Sequence, residues 1–326
     1  MAKIKYAQIG VGHAHASKMS VYRDSDDYEV VGVYEPDAIL RRQAEARDPY
    51  RDLKWLTLEQ LLNTPDLKVV GIETRVRDLL KYAKKCVDAG LHIHLDKPAG
   101  ESFPEYENII AVATAKHLAV QMGYMYRYNP AVVMLRDWQQ KGWLGEPFEA
   151  HTVMSKLVGT ATRKSLAAYQ GGSMFELGCH IIDLTVGVLG PPTAVHAFPR
   201  HSSAEQDPLL DNMLSVFEYP RATATVRSSV NEVEGFARRH FVVCGSEATF
   251  HIQPLDAPKA RVALRNARGD YRKGYQEITF PRFVRYVDDA ADLAKVVRGE
   301  KDAAFSYQHD LAVQRAVLES SQMKTN

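Results

Sequence analysis

The sequence predicts an α/β protein: an N-terminal doubly wound parallel sheet, then an α+β domain with a large, mostly antiparallel open sheet. Three observations carry this expectation. Short β-branched runs alternate with helical patterns over the first third, as βαβ crossovers require. After Asn129-Pro130, strand-like runs follow one another with few helices between them. The chain has 326 residues, which suits two domains of about 150 residues each. The division is expected at 1–124 and 125–326.

The elements follow in order. Lys3–Ile9 reads as a strand and His15–Arg23 as a helix. Glu29–Tyr34 is a second strand, followed by a helix over about Ala38–Arg47. Thr57 and Gln60 form a T-x-x-Q capping box that opens a short helix through Leu62. Lys68–Ile72 is a strand, Asp78–Ala89 a helix closed by Gly90, and Leu91–Leu95 a strand. Ser102 and Glu105 open a helix to about Lys116, and Ala119–Gly123 is one more strand. Beyond Pro130 a helix runs to about Lys141. Strand-like alternation then marks Phe148–Met154, Asn212–Glu218, Ala222–Ser229, Arg239–Cys244 and Ala248–Ile252. Helices are expected over Ser173–Leu189, Arg282–Val297 and Tyr307–Ser321.

Composition excludes several classes. Lys and Arg number 41 against 40 Asp and Glu, so the chain has no charge surplus for nucleic-acid binding. Apolar residues make 45% and charged residues 25%, as in globular proteins. No apolar run approaches the roughly 20 residues of a membrane span, and MAKIKYAQIG has no signal-peptide pattern. Cys86, Cys179 and Cys244 are far apart and odd in number, which fits a reducing, cytoplasmic setting.

The first chemical signal is Gly10-Val11-Gly12-His13-Ala14-His15, between the first strand and the first helix. A G-x-G-x-x-G loop lets backbone approach a pyrophosphate at a helix N-terminus. Two of the three glycines are present, and His15 takes the place of the third. Glu35 ends the second strand, where a carboxylate accepts hydrogen bonds from adenosine ribose hydroxyls and repels a 2′-phosphate. The first domain therefore reads as a Rossmann NAD(P)-binding domain with NAD favoured. Arg41 and Arg42 nearby keep NADP open. Lys97, in Asp96-Lys97-Pro98, lies past the carboxyl end of a central strand, where open α/β sheets bind ligands. A lysine there suits proton transfer or polarisation of a hydroxyl. In the later helix, Glu176 and His180 stand at i and i+4, with Asp183 three residues on, so an acid is placed to orient an imidazole.

These residues lie in three ordered motifs: Gly90-Leu91-His92-Ile93 with Asp96-Lys97-Pro98, Gly123 through Arg127-Tyr128-Asn129-Pro130, and Gly171-Gly172 through Glu176, His180 and Asp183. In them the chain resembles the Gfo/Idh/MocA family of dehydrogenases over nearly its whole length. The resemblance implies a base, His180, acting with Lys97 on a secondary hydroxyl of a sugar, sugar derivative or cyclic polyol, with hydride passing to a nicotinamide. Glu176 and Asp183 would orient His180. The cofactor contacts it implies are Gly10, Gly12, His13, Ala14, His15, Glu35, Thr74, Arg75, Asp96, Lys97, Pro98 and Arg127. The substrate contacts are Lys97, Tyr126, Asn129, Glu176 and His180. A homodimer or homotetramer paired through the C-terminal sheet is expected. Two departures stand out: Glu176 replaces the family's usual Asp, and Thr74-Arg75-Val76-Arg77-Asp78-Leu79 keeps only the threonine of T-P-N-x-x-H. Arg75 and Arg77 either meet an anion or are solvated charges at a helix start. An NAD-dependent glycosidase and a non-catalytic NAD- and ligand-binding regulator are the alternatives. His13, His15, His92 and His94 invite a metal, but convergent further ligands are missing and none is expected. The absence of G-x-S-x-G argues against a serine hydrolase.

Overall fold

The structure is a computed structural model and describes residues 2–326. The chain divides into two compact units. One runs through Gly123 and includes Tyr286–Tyr307; the other comprises Tyr124–Arg285 and Gln308–Thr325.

The first unit contains β1 (Ile4–Ile9), α1 (Met19–Asp24), β2 (Tyr28–Tyr34), α2 (Ala38–Glu45), α3 (Leu58–Leu62), β3 (Leu67–Ile72), α4 (Val76–Asp88), β4 (His92–Leu95), α5 (Phe103–Ala115) and β5 (Val120–Met122). Its five strands are ordered β2-β1-β3-β4-β5, and every pairing is parallel. The crossover helices explain this, since parallel strands need long connections. The caps are local. Thr57 and Gln60 form the expected capping box, and Asp37 accepts from Ile39 N–H and Leu40 N–H at the start of α2. Tyr6 and Tyr22 stack at 3.8 Å between ring centroids, and Tyr28 packs edge-on against both. Gly71 makes room for them, because a Cβ there would lie 1.9 Å from the Tyr6 hydroxyl. The expected boundary at residue 124 misses the return of 286–307 to this unit. Ala290, Leu293 and Ala294 belong to its buried cluster, and Tyr28 donates its hydroxyl to the Ala290 carbonyl.

The second unit contains α6 (Pro130–Gln140), β6 (Pro147–Ser155), α7 (Thr160–Leu166), α8 (Cys179–Leu189), β7 (Ala194–Arg200), β8 (Asn212–Glu218), β9 (Thr223–Ser229), α9 (Gly235–Arg238), β10 (His240–Gly245), β11 (Ala248–Ile252), β12 (Lys259–Leu264) and β13 (Gly274–Thr279). α10 (Val287–Val297) belongs to the first unit, and α11 (Tyr307–Ser320) continues into the second. The sheet order is β13-β12-β11-β10-β6-β9-β8-β7, and β6-β9 is its parallel pair. One face is apolar, through residues such as Met213, Phe217, Val226 and Phe250. α8 packs against β6 and β9.

The strand expectations omit β7, β12 and β13. β7 contains Pro199 and is an edge strand, a place where proline is tolerated. β13 is the other edge. β12 buries Ala260, Val262 and Leu264 and turns Lys259, Arg261 and Ala263 outward, so its alternation was legible except at Ala263. The helix expected from Arg282 begins only at Val287, after Tyr286 with φ 71°. Residues 174–178 form one π-helical turn rather than α-helix. Among the described residues, no helix is long and apolar enough to cross a membrane.

Candidate dinucleotide loop and catalytic helix

In the first unit, chemistry gathers directly after the strands. Gly10 follows β1, Glu35 follows β2, Glu73 follows β3 and Asp96 follows β4. These are the carboxyl ends of a parallel sheet, the binding edge of such folds. Gly10 has φ 92°, and a Cβ on it would lie 2.4 Å from Thr74 N. A side chain is therefore excluded twice, by backbone conformation and by space. Gly12 is exposed and leaves the loop surface bare. Glu35 accepts Val11 N–H at 2.6 Å and Asp37 N–H at 2.8 Å through separate oxygens. Two backbone donors leave lone pairs of that carboxylate unused. Burial pushes the Glu35 carboxyl up, against the pull of those two bonds. A bare glycine turn beside a carboxylate with spare acceptors fits the pyrophosphate and ribose of a dinucleotide.

Beneath this loop lies a cluster of buried charge. Lys18 Nζ is 2.9 Å from Glu73 Oε1 and 3.0 Å from Asp96 Oδ2, and all three side chains are fully buried. His13 Nδ1 lies 3.1 Å from Asp96 Oδ2, and His15 Nδ1 lies 3.1 Å from Asp96 Oδ1. Lys97 N–H donates to Asp96 Oδ1 at 2.6 Å. Burial alone would raise Asp96, but His13, Lys18 and His15 hold it well below the carboxylate range. Glu73 goes the other way, pushed well up by burial and by Asp96. Burial would lower Lys18, yet Asp96 and Glu73 keep it charged and raised. Burial pushes His15 down to about 4 despite Asp96. His13, His15 and Asp96 offer atoms within 4.8 Å of one another. The Lys18 ammonium already supplies a cation to that carboxylate, so a metal ion there would meet strong repulsion.

Lys97 is 1% exposed, immediately past β4. Its peptide to Pro98 is cis. Thr74 is buried beside Gly10, and Arg75 pairs with Asp37 at 3.3 Å while half exposed. Ala14 is exposed on the loop. The other two histidines are used internally: His92 Nδ1 accepts Ala119 N–H, and His94 Nδ1 meets the Tyr22 hydroxyl at 2.6 Å. Lys18 and Glu73 escaped the sequence reading. A buried charge is recognisable only with its partner, and those partners lie far along the chain.

In the second unit, His180 is 2% exposed near the start of α8. The rings of Tyr126 and Tyr124 stand edge-on to it, with centroids at 5.3 and 6.1 Å. Glu176 lies in the π-helical turn. That turn closes with i→i+5 bonds, so the i, i+4 stacking expected for Glu176 and His180 does not carry over from α-helix geometry. Asp183 is engaged differently from the expectation that it orients His180. It accepts from Arg127 Nε at 3.0 Å and Nη2 at 2.6 Å, and lies 3.1 Å from His309 Nε2. Arg127, expected at the cofactor, is 3% exposed and also donates to Asp310 at 2.5 Å. Burial would raise Asp183, but Arg127 and His309 hold it low; burial raises Asp310 in spite of Arg127. Asn129, expected at substrate, caps α6 through Ala131 N–H and donates to the Leu255 carbonyl. The Tyr126 hydroxyl donates to Asp256 at 2.8 Å, and Arg239 and Arg285 pair with the same carboxylate.

Comparison with known proteins agrees with this architecture. A family profile described as the oxidoreductase family with an NAD-binding Rossmann fold matches residues 4–124. A second, the GFO/IDH/MocA C-terminal domain, matches residues 132–251. The uncharacterized oxidoreductase YhhX of Escherichia coli is 27% identical over 161 residues, 48% of this chain and 46% of its own. The scyllo-inositol 2-dehydrogenase (NADP(+)) IolW of Bacillus subtilis is 24% identical over 176 residues, 53% of this chain and 48% of its own. The chain thus spans about half the length of these curated relatives. The UDP-N-acetylglucosamine 3-dehydrogenase GnnA from Acidithiobacillus ferrooxidans has the same fold, with TM-score 0.82 at 18% identity over 99% of this chain and 98% of its own. With one profile of the same family on each unit, the chain belongs to the GFO/IDH/MocA oxidoreductase family, and its first unit is of the NAD-binding Rossmann kind.

Proposed function

We propose that this protein is an NAD(P)-dependent dehydrogenase acting on a secondary hydroxyl of a sugar, sugar derivative or cyclic polyol. The observation that carries the reading is the bare Gly10–Gly12 turn, with Glu35 beside it at the end of β2. Glu35 favours NAD over NADP, because a 2′-phosphate would meet a carboxylate. Relatives named for inositol and for a nucleotide sugar support the substrate class. When bound, the nicotinamide supplies the hydride acceptor, and the protein supplies position and proton traffic. His180 takes the hydroxyl proton, since imidazole is the side chain suited to that exchange near neutral pH. Lys97 donates a hydrogen bond to the oxygen as it gains negative charge, an effect typically worth several kcal/mol. Tyr126 and Tyr124 restrict the His180 ring from its edges. Asp96 fixes the backbone of Lys97 through the Lys97 N–H. The cytoplasm as location and pairing of copies over the open face of the eight-stranded sheet, where Phe198 and Tyr275 are exposed, are part of the proposal.

The test is turnover on a panel of sugars and polyols, followed by NADH absorbance. Lys97→Met and His180→Ala should each lower kcat by at least about tenfold on any substrate found. Full turnover in both variants would refute the roles. Sugar release without net NADH would move the protein to NAD-dependent glycoside cleavage.

A further inference from the structure

The His13 ring nitrogen faces two partners that it cannot serve at once. His13 Nδ1 lies 3.2 Å from the His15 backbone N–H, where it must accept. The same atom lies 3.1 Å from Asp96 Oδ2, where it must carry a proton to donate. One protonation state therefore holds the His15 N–H inside the loop, and the other releases it and turns the ring to the carboxylate. The His13 ring is buried, so the choice is not blurred by solvent.

The surrounding charge favours exchange. Lys18 lies against both Glu73 and Asp96, and with Glu73 pushed up by burial and by Asp96, the anion that faces His13 is Asp96. The groups facing His13 are Asp96, Glu73 at 4.0 Å and the His15 ring at 5.0 Å. Lys18 reaches the same Asp96 oxygen, and the Tyr286 ring flanks both Lys18 and His15. His94 and Lys97 complete the titratable set nearby. A pyrophosphate arriving on the loop adds negative charge and needs backbone N–H donors. Protonated His13 answers both demands.

We propose that binding of a nicotinamide dinucleotide to this loop draws a proton from solvent onto His13 Nδ1. The ring gives up the His15 N–H as donor and takes Asp96 as acceptor, leaving that N–H to the incoming anion. No other group is consumed. The inference rests on the cofactor reading above and deepens it: affinity is set by pH through the loop itself.

The experiment is calorimetric titration of the intact chain with NADH in phosphate and in Tris, between about pH 6 and about pH 9. The two buffers differ in ionisation heat, so the difference in measured heat counts protons. An uptake of about half to one proton per NADH is expected at some pH in that range. Kd should rise with pH by up to about tenfold per unit there. His13→Gln should bind NADH with the same heat in both buffers and a flat Kd. Saturable wild-type binding with equal heats throughout would overturn the inference, as would a wild-type slope in His13→Gln. Failure of NADH to bind at all would instead remove the cofactor reading beneath it.

Discussion

In each unit a cation, Lys18 or Arg127, is buried between two carboxylates, and the two clusters behave differently. In the first, Lys18 meets Glu73 and Asp96, with His13 and His15 alongside. In the second, Arg127 meets Asp183 and Asp310, with His309 alongside. The charge splits alike: Asp96 and Asp183 are held low, while Glu73 and Asp310 are pushed up by burial. The difference is in the cation. Arg127 is a planar fork that binds both oxygens of Asp183 and ties together the segment before α6, α8 and α11. Lys18 is a point charge, and of its two carboxylates Asp96 is shared with two imidazoles of the Gly10–His15 loop. A fork fixes geometry, whereas a point charge among imidazoles leaves room for a proton to move.

The largest effect should come from breaking the fork. Arg127→Met leaves two buried carboxylates without their cation and should cost about 3–5 kcal/mol in urea unfolding. Arg127→Lys should recover less than half of that loss, since the bidentate geometry is gone. Equal recovery would erase the distinction between the clusters. Lys18→Met should cost less, about 2–3 kcal/mol, because Glu73 already leans to its neutral form. Its sign with pH is definite. In the wild type, Asp96 is held low, so its contribution is present above the ordinary carboxylate range and fades on acidification. Without Lys18, both carboxylates sit higher than in the wild type, so the variant loses stability relative to wild type as pH rises. Unfolding at about pH 5 and about pH 8 checks this: the gap to wild type should widen at the higher pH. The smallest effect belongs to an exposed pair. Asp137→Ala removes the i, i+4 partner of Lys141, half exposed on α6, and should change stability by less than about 0.5 kcal/mol.

The same contrast explains what the sequence disclosed. The parallel sheet, its helices and the Gly10–His15 loop were legible because periodicity, caps and glycine spacing are local signals. The place of Glu35 at the end of β2 was legible from the strand pattern. Lys18 and Glu73 were not, since their partners come together only through the sheet order. Helix spacing and the family resemblance together point Asp183 at His180. Its cation comes from the segment before α6 and its imidazole from α11, neither of which helix spacing can reveal. The π-helical turn at 174–178 was hidden too, because Met174, Phe175, Leu177 and Gly178 are all buried and leave no apolar stripe whose phase could reveal the extra residue. β7 and β13 faded because edge strands with few buried residues lose the alternation that marks a strand.

The claim that the carboxyl ends of β1 through β4 form a dinucleotide site is met most directly by a crystal structure of the chain grown with NAD. Density for the pyrophosphate on the Gly10–His15 loop, with a ribose hydroxyl on Glu35, is the result expected. An ordered dinucleotide held elsewhere, with that loop bare, would contradict it.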